Sequence, residues 1–217
     1  MTGLYKTERL ETTMQTIFLT SYIAGTGQKL ADFMQNNKIN SKRVLFIPTA
    51  GNVEGYTKYI DEGKSVLTQL GLKLDLLDIA TADIRQCHTA FAAAEIICIT
   101  GGNTFYLLQE LKRKNLDRLL DQRIAEGCVY IGESAGAIIL AADIEYNKIM
   151  DDSSLAPELN NYTGLNCIDF YPLPHYIDEP FVQSARQTYA EYSKCLNLVT
   201  FNNSQAIVII NHNYVVV

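Results

Sequence analysis

No apolar stretch of this sequence approaches the ~20 residues that a membrane-spanning helix needs. Residues Met1 to Gln15 are polar, carry both charge signs and lack an apolar segment of signal-peptide type, so a loose tail is expected there, not a signal or an anchor. Low-complexity tracts and repeats of solenoid period are missing, and neither glycine nor proline is enriched, which excludes linker-like and repeat architectures. Positive charge is scarce: the formal net charge is −6, which argues against a nucleic-acid partner. The longest basic cluster, Lys112-Arg113-Lys114, falls in a helical pattern and reads as a solvated helix face. Five cysteines are present, an odd number without a C-x-x-C pair, and the only neighbouring Cys and His are the adjacent Cys87 and His88. A disulfide framework and a zinc site are therefore not expected; reduced, mostly buried thiols in a cytoplasmic protein are.

What is present is a chain of 217 residues, 47% apolar and 19% charged, enough for one sizeable domain spanning 1–217. Short apolar runs alternate with helical patterns. Strands are expected at 17–19, 43–48, 72–77, 96–100, 128–131 and 168–173, the third near a sheet edge. Helices are expected at 24–35, 56–70, 82–94, 105–126, 135–141 and 181–193, with Gly71 ending the second and Thr81 capping the third. A closing hairpin is expected around Asn211-His212-Asn213. This rhythm predicts an α/β fold of three α/β/α layers around a mostly parallel sheet.

Two glycine turns follow predicted strands. Gly132-Glu133-Ser134-Ala135-Gly136 has the G-x-S-x-G pattern of a nucleophile on a tight strand-to-helix turn, where small neighbours leave the hydroxyl projecting. Gly101-Gly102-Asn103-Thr104 also opens a helix at the carboxyl end of a strand, where open α/β sheets bind ligands. A serine nucleophile needs a base, and there are three histidines. His88 falls within a helix and His212 in a polar turn. His175, at the end of a predicted strand in Leu173-Pro174-His175-Tyr176, is the candidate. For the residue that orients the base, Asp151, Asp152, Glu145, Asp178 and Glu179 are all available, and spacing does not choose among them.

With these residues in view, the sequence resembles peptidase family S51, the dipeptidase E (aspartyl dipeptidase) and cyanophycinase group. The carriers are Gly101 to Phe105, Gly132 to Ala137, Met150-Asp151-Asp152 with Ala156-Pro157-Glu158-Leu159, and Leu173 to Tyr176. The resemblance implies a fold like that of class I glutamine amidotransferases and a cytoplasmic serine peptidase of short peptides, in some members cleaving after an N-terminal acidic residue. It implies Ser134 as nucleophile, His175 as base, and the N–H groups of Gly102 and Ala135 as oxyanion hole. Substrate contacts are expected from Gly101, Asn103 and Thr104. An acidic substrate residue would meet an arginine, for which Arg186 is the candidate. The third residue corresponds to Asp151 or Asp152, or to a late loop that carries Asn202-Asn203 in place of a carboxylate. Asp151 is expected on charge grounds, with Asp152, Asn203 and Glu145 as alternatives. No metal or organic cofactor, no nucleic acid and no membrane is implied; a small peptide is the expected partner, and a homodimer is compatible. Two other readings stand: a catalytically silent, peptide- or partner-binding member of the group, and an esterase.

Overall fold

The computed structural model describes residues 15–217, so the expected tail lies outside the described residues but for Gln15. The chain opens with β1 (Thr16–Thr20), a 3-10 turn at Ile23–Gly25 and α1 (Gly27–Asn36). Next come β2 (Arg43–Ile47), α2 (Lys58–Gln69), β3 (Lys73–Leu76) and α3 (Ile84–Ala93). They are followed by β4 (Ile96–Ile99), α4 (Thr104–Arg113), α5 (Leu116–Ala125), β5 (Val129–Glu133) and the short α6 (Ala135–Ile138). After 3-10 turns at Glu145–Ile149 and Ser153–Leu155, the chain forms β6 (Tyr171–Leu173), α7 (Val182–Tyr192), β7 (Leu198–Thr200) and the hairpin of β8 (Ala206–Ile210) and β9 (Asn213–Val216).

Seven strands share one sheet in the order β3-β2-β4-β5-β1-β8-β9. The first five run parallel, and β8 and β9 continue antiparallel. Side chains alternate between the two faces, as strand geometry dictates. Ile17, Leu19, Leu45, Ile47, Ile97 and Ile99 join one apolar layer; Phe18, Val44, Phe46, Ile96, Cys98 and Ile131 join the other. All four residues of β4 are buried, as expected of a parallel strand with helices on both faces. The fold is the α/β arrangement the sequence predicts, and β3 is one of the two edge strands of its main sheet.

Four local expectations are corrected. The helix expected over 105–126 is two helices, broken where Asn115 takes a left-handed φ of 54°. Lys114 is no solvated cation: it is buried, and its ammonium donates to the carbonyls of Ile79, Ala80 and Ala82. The cap of α3 is Asp83, whose carboxylate accepts from the Gln86 N–H at 2.8 Å, while the Thr81 hydroxyl turns to Asp78. The strand expected at 168–173 narrows to β6, which pairs in parallel with β7 in a separate two-stranded sheet.

The carboxyl ends of β1, β2, β4 and β5 open on one rim of the main sheet. Side by side there lie Ser21-Tyr22, Thr49-Ala50, Gly101-Gly102 and Glu133-Ser134, and the small sheet brings its own chain end to the same rim through a bond between His175 and Ser21.

Candidate active site

Ser134 has φ 47° and ψ −105°, a backbone that side chains rarely adopt and that is a known mark of functional turns. Its neighbours make the turn feasible. A β-carbon at Gly136 would collide with the Ile99 carbonyl, and one at Gly132 would lie 2.7 Å from the Gly136 oxygen. The buried Tyr130 hydroxyl donates to that same oxygen at 2.6 Å and ties the turn to β5. The Ser134 N–H is spent on the Thr20 carbonyl at 2.8 Å, so it is not free for a substrate. Among the described residues, the N–H groups of Gly102 and Ala135 meet no internal acceptor. Gly102 must be glycine twice over: its φ is 126°, and a β-carbon would strike the Ala50 carbonyl.

His175 Nε2 lies 2.9 Å from Ser134 Oγ. Its other nitrogen, Nδ1, lies 2.8 Å from Asn203 Oδ1. Because an amide oxygen can only accept, Nδ1 carries the proton and Nε2 presents its lone pair to the serine. His175 is held by three further contacts, one of them through Asn203. Its N–H donates to Ser21 Oγ at 3.0 Å, its ring stacks on Phe181 with centroids 4.5 Å apart, and the Asn203 N–H is anchored on Asp178 at 2.6 Å. Burial pushes the His175 pKa below its ordinary value, against the Asn203 bond and the Asp178 charge, which push upward.

Asp151 is not beside His175. Its Oδ2 accepts from the Thr104 N–H and from Asn147 Nδ2, both at 2.8 Å, so the carboxylate sits on the N-terminus of α4, where negative charge is favoured. Burial pushes its pKa up to about 6. Asp152 accepts from the Ser154 N–H, and Glu145 is an exposed partner of Lys148. Neither reaches His175. From the loop with Asn202 and Asn203, it is the Asn203 side chain that meets His175, while the Asn202 side chain turns to Ser204.

A cavity of about 740 Å³ opens above Ser134, His175 and Asn203. Gly101, Gly102 and Asn103 line it, whereas Thr104 is wholly buried and serves the start of α4. Arg186 is exposed on α7 and does not line the cavity. His88 is remote, bonding the Lys114 carbonyl through Nε2 at 2.8 Å.

Sequence reasoning misses Glu133, the variable position of the serine motif. It is 1% exposed. Its carboxylate accepts from the Ile23 N–H at 2.8 Å and from the Gly101 N–H at 3.2 Å, joining the ends of β1, β4 and β5. The signal was a lone carboxylate ending an otherwise apolar run. Among the described residues no group of three or more His, Cys, Asp or Glu side chains is arranged to hold a metal, and no helix is long and apolar enough to cross a membrane.

Known proteins share this architecture. Residues 17–217 match Peptidase family S51. An uncharacterized peptidase of Pasteurella multocida (strain Pm70) is 41% identical over 94% of this chain and 97% of its own length. Peptidase E of Salmonella arizonae is 31% identical over 64% of this chain and 58% of its own. The crystal structure of a candidate Peptidase E protein from Listeria monocytogenes EGD-e superposes with a TM-score of 0.89 at 40% identity, covering 94% of this chain and 98% of that one. A family match over residues 17–217, similar relatives and the same fold agree: the chain belongs to peptidase family S51.

Proposed function

We propose that the protein is a serine peptidase of short peptides, with Ser134 as nucleophile, His175 as general base and Asn203 as the residue that orients the base. The observation that carries this is the unbroken relay from Ser134 Oγ to His175 Nε2 at 2.9 Å and from His175 Nδ1 to Asn203 Oδ1 at 2.8 Å. As Ser134 Oγ attacks a substrate carbonyl, His175 Nε2 takes its proton, then returns it to the leaving amine. Oxygen turning negative in the tetrahedral intermediate meets the N–H groups of Gly102 and Ala135, whose lack of internal acceptors suits them to that task. Water repeats the cycle on the acyl-enzyme and releases the N-terminal product.

Asn203 fixes the tautomer without adding charge, so the imidazolium formed in transit leans on the more distant Asp178. A cavity of this volume accommodates a di- or tripeptide. The preference for an acidic N-terminal residue that the resemblance implies finds no lysine or arginine among the described residues that line the cavity. A fluorophosphonate probe tests the proposal. Labelling at Ser134, lost in Ser134→Ala and reduced in His175→Ala, supports it; a wild-type protein that stays unlabelled is a catalytically silent member of the family.

A further inference from the structure

Among the described residues, the cleft is lined by six carboxylates, those of Glu54, Glu62, Glu133, Asp151, Asp152 and Glu179, and by no lysine or arginine. Some of these groups are already engaged. Glu62 accepts from the Tyr22 hydroxyl at 2.5 Å and faces Lys58 at 3.7 Å; Glu133 takes two backbone N–H groups. Glu54 is different: it is exposed, no donor or cation partners it among the described residues, and partial burial raises its pKa.

A second, independent feature lies in the same cleft, beside Asp151. Asn147 is wholly buried and lines the cleft. Its Nδ2 donates to Asp151 and Thr104, while its Oδ1 is buried without a donor. A buried acceptor left unpaired is costly, and a donor entering from the cleft, water or substrate, relieves that cost. These groups stand close to the chemistry. Glu54, Glu133 and Asp151 all act on the Tyr59 hydroxyl, whose pKa is raised by burial first and by these three charges after it. That hydroxyl donates to the Gly101 carbonyl at 3.2 Å, and a β-carbon at Gly101 would sit 3.2 Å from that of Ser134.

We infer that the wall formed by Glu54, Asp151 and Asn147 receives the ammonium or guanidinium group of the substrate, so that the enzyme favours short peptides carrying positive charge beside the scissile bond. The placement of that bond rests on the Ser134 reading; the charge preference does not. A cation brings several donors at once to a wall made of acceptors, and an acidic side chain would be repelled by it.

The test is protection of Ser134 from the fluorophosphonate probe by four small amides. N-acetyl-lysinamide carries only a side-chain ammonium, leucinamide only an α-ammonium, N-acetyl-leucinamide no charge, and the α-amide of N-acetyl-aspartate a carboxylate. The expected result is protection by one or both ammonium compounds at concentrations about five-fold lower than the neutral one, the scale of one partly exposed ion pair, with the acidic one weakest. Protection by N-acetyl-lysinamide assigns the wall to a basic side chain; protection by leucinamide alone assigns it to the amino terminus. Glu54→Gln should weaken the cations by a larger factor than N-acetyl-leucinamide. Equal protection by all four, or strongest protection by the acidic amide, overturns the inference. If wild-type Ser134 does not label, the catalytic proposal fails on its own, and calorimetric binding of the same four amides decides the charge preference by the same ranking.

Discussion

At the scale of single residues, the proposed chemistry turns on an amide where a charged partner of the base is the commoner solution. Asn203 accepts from His175 Nδ1, and burial holds the His175 pKa below the ordinary histidine value of ~6.5. A base works when neutral, so the acid limb of kcat/KM should fall at a pH below ~6.5. Asn203→Asp sets a carboxylate against the imidazole and should move that limb to higher pH. Asn203→Ala removes the orienting acceptor and should cost roughly 10²-fold in kcat, the lower end of general-base contributions; Ser134→Ala should cost on the order of 10⁶. A limb that stays put in Asn203→Asp would show that this side chain does not face the base during turnover. Ser134 and His175 are legible in the sequence because their demands are local: glycines around a tight turn, and a strand end. Asn203 is not, because a contact made 28 residues from the base leaves no trace in the residues around either partner. Charge alone favours Asp151, and the fold uses that charge to hold the start of α4.

At the scale of elements, the break between α4 and α5 shows what periodicity leaves out. Leucines at helical spacing run through both helices, so the pattern reads as one. What interrupts it is polar: Lys114 reaches into the carbonyls of Ile79, Ala80 and Ala82, its own carbonyl is taken by His88, and Asn115 absorbs the turn at φ 54°. The lysine thus pins the β3–α3 connection beneath the helix pair. Lys114→Met keeps the apolar stem and removes the donor, leaving several carbonyls unsatisfied. It should destabilise the protein by about 1–3 kcal/mol, read as a lower denaturant midpoint at unchanged slope, with Ser134 labelling by fluorophosphonate intact. Asn115→Gly, which eases the left-handed turn, should cost a few tenths of a kcal/mol or less. A neutral Lys114→Met would mean that water satisfies those carbonyls as well as the ammonium does. The strands are more legible than the helix ends, since a fully buried parallel strand such as β4 announces itself as a continuous apolar run.

At the scale of the whole molecule, Glu133 links three strand ends across the sheet, and its titration makes the stability of the fold depend on pH. Burial pushes its carboxyl up to about 7 from an ordinary 4.5, against the downward pull of the Ile23 and Gly101 N–H groups. Between those two values the folded protein keeps a proton that the unfolded chain has released. Stability therefore falls as pH rises through this window, by about 1.4 kcal/mol per unit and about 3 kcal/mol in all. Asp151, pushed up to about 6 by burial, acts in the same direction. His175, with its pKa lowered, acts oppositely, since the unfolded chain binds its proton more readily as pH drops. Both remain in a Glu133→Gln variant, so the difference between wild type and variant isolates Glu133. Glutamine preserves the shape but turns an NH₂ toward one of the two backbone donors, which lowers stability at every pH by roughly 1–3 kcal/mol. On top of that constant offset, the advantage of the wild type in Tm should shrink from pH 5 to pH 8, by roughly 5–10 °C for a chain of this size. Parallel Tm curves for the two proteins over that range would show that the carboxylate is ionised throughout, with its two N–H donors outweighing its burial.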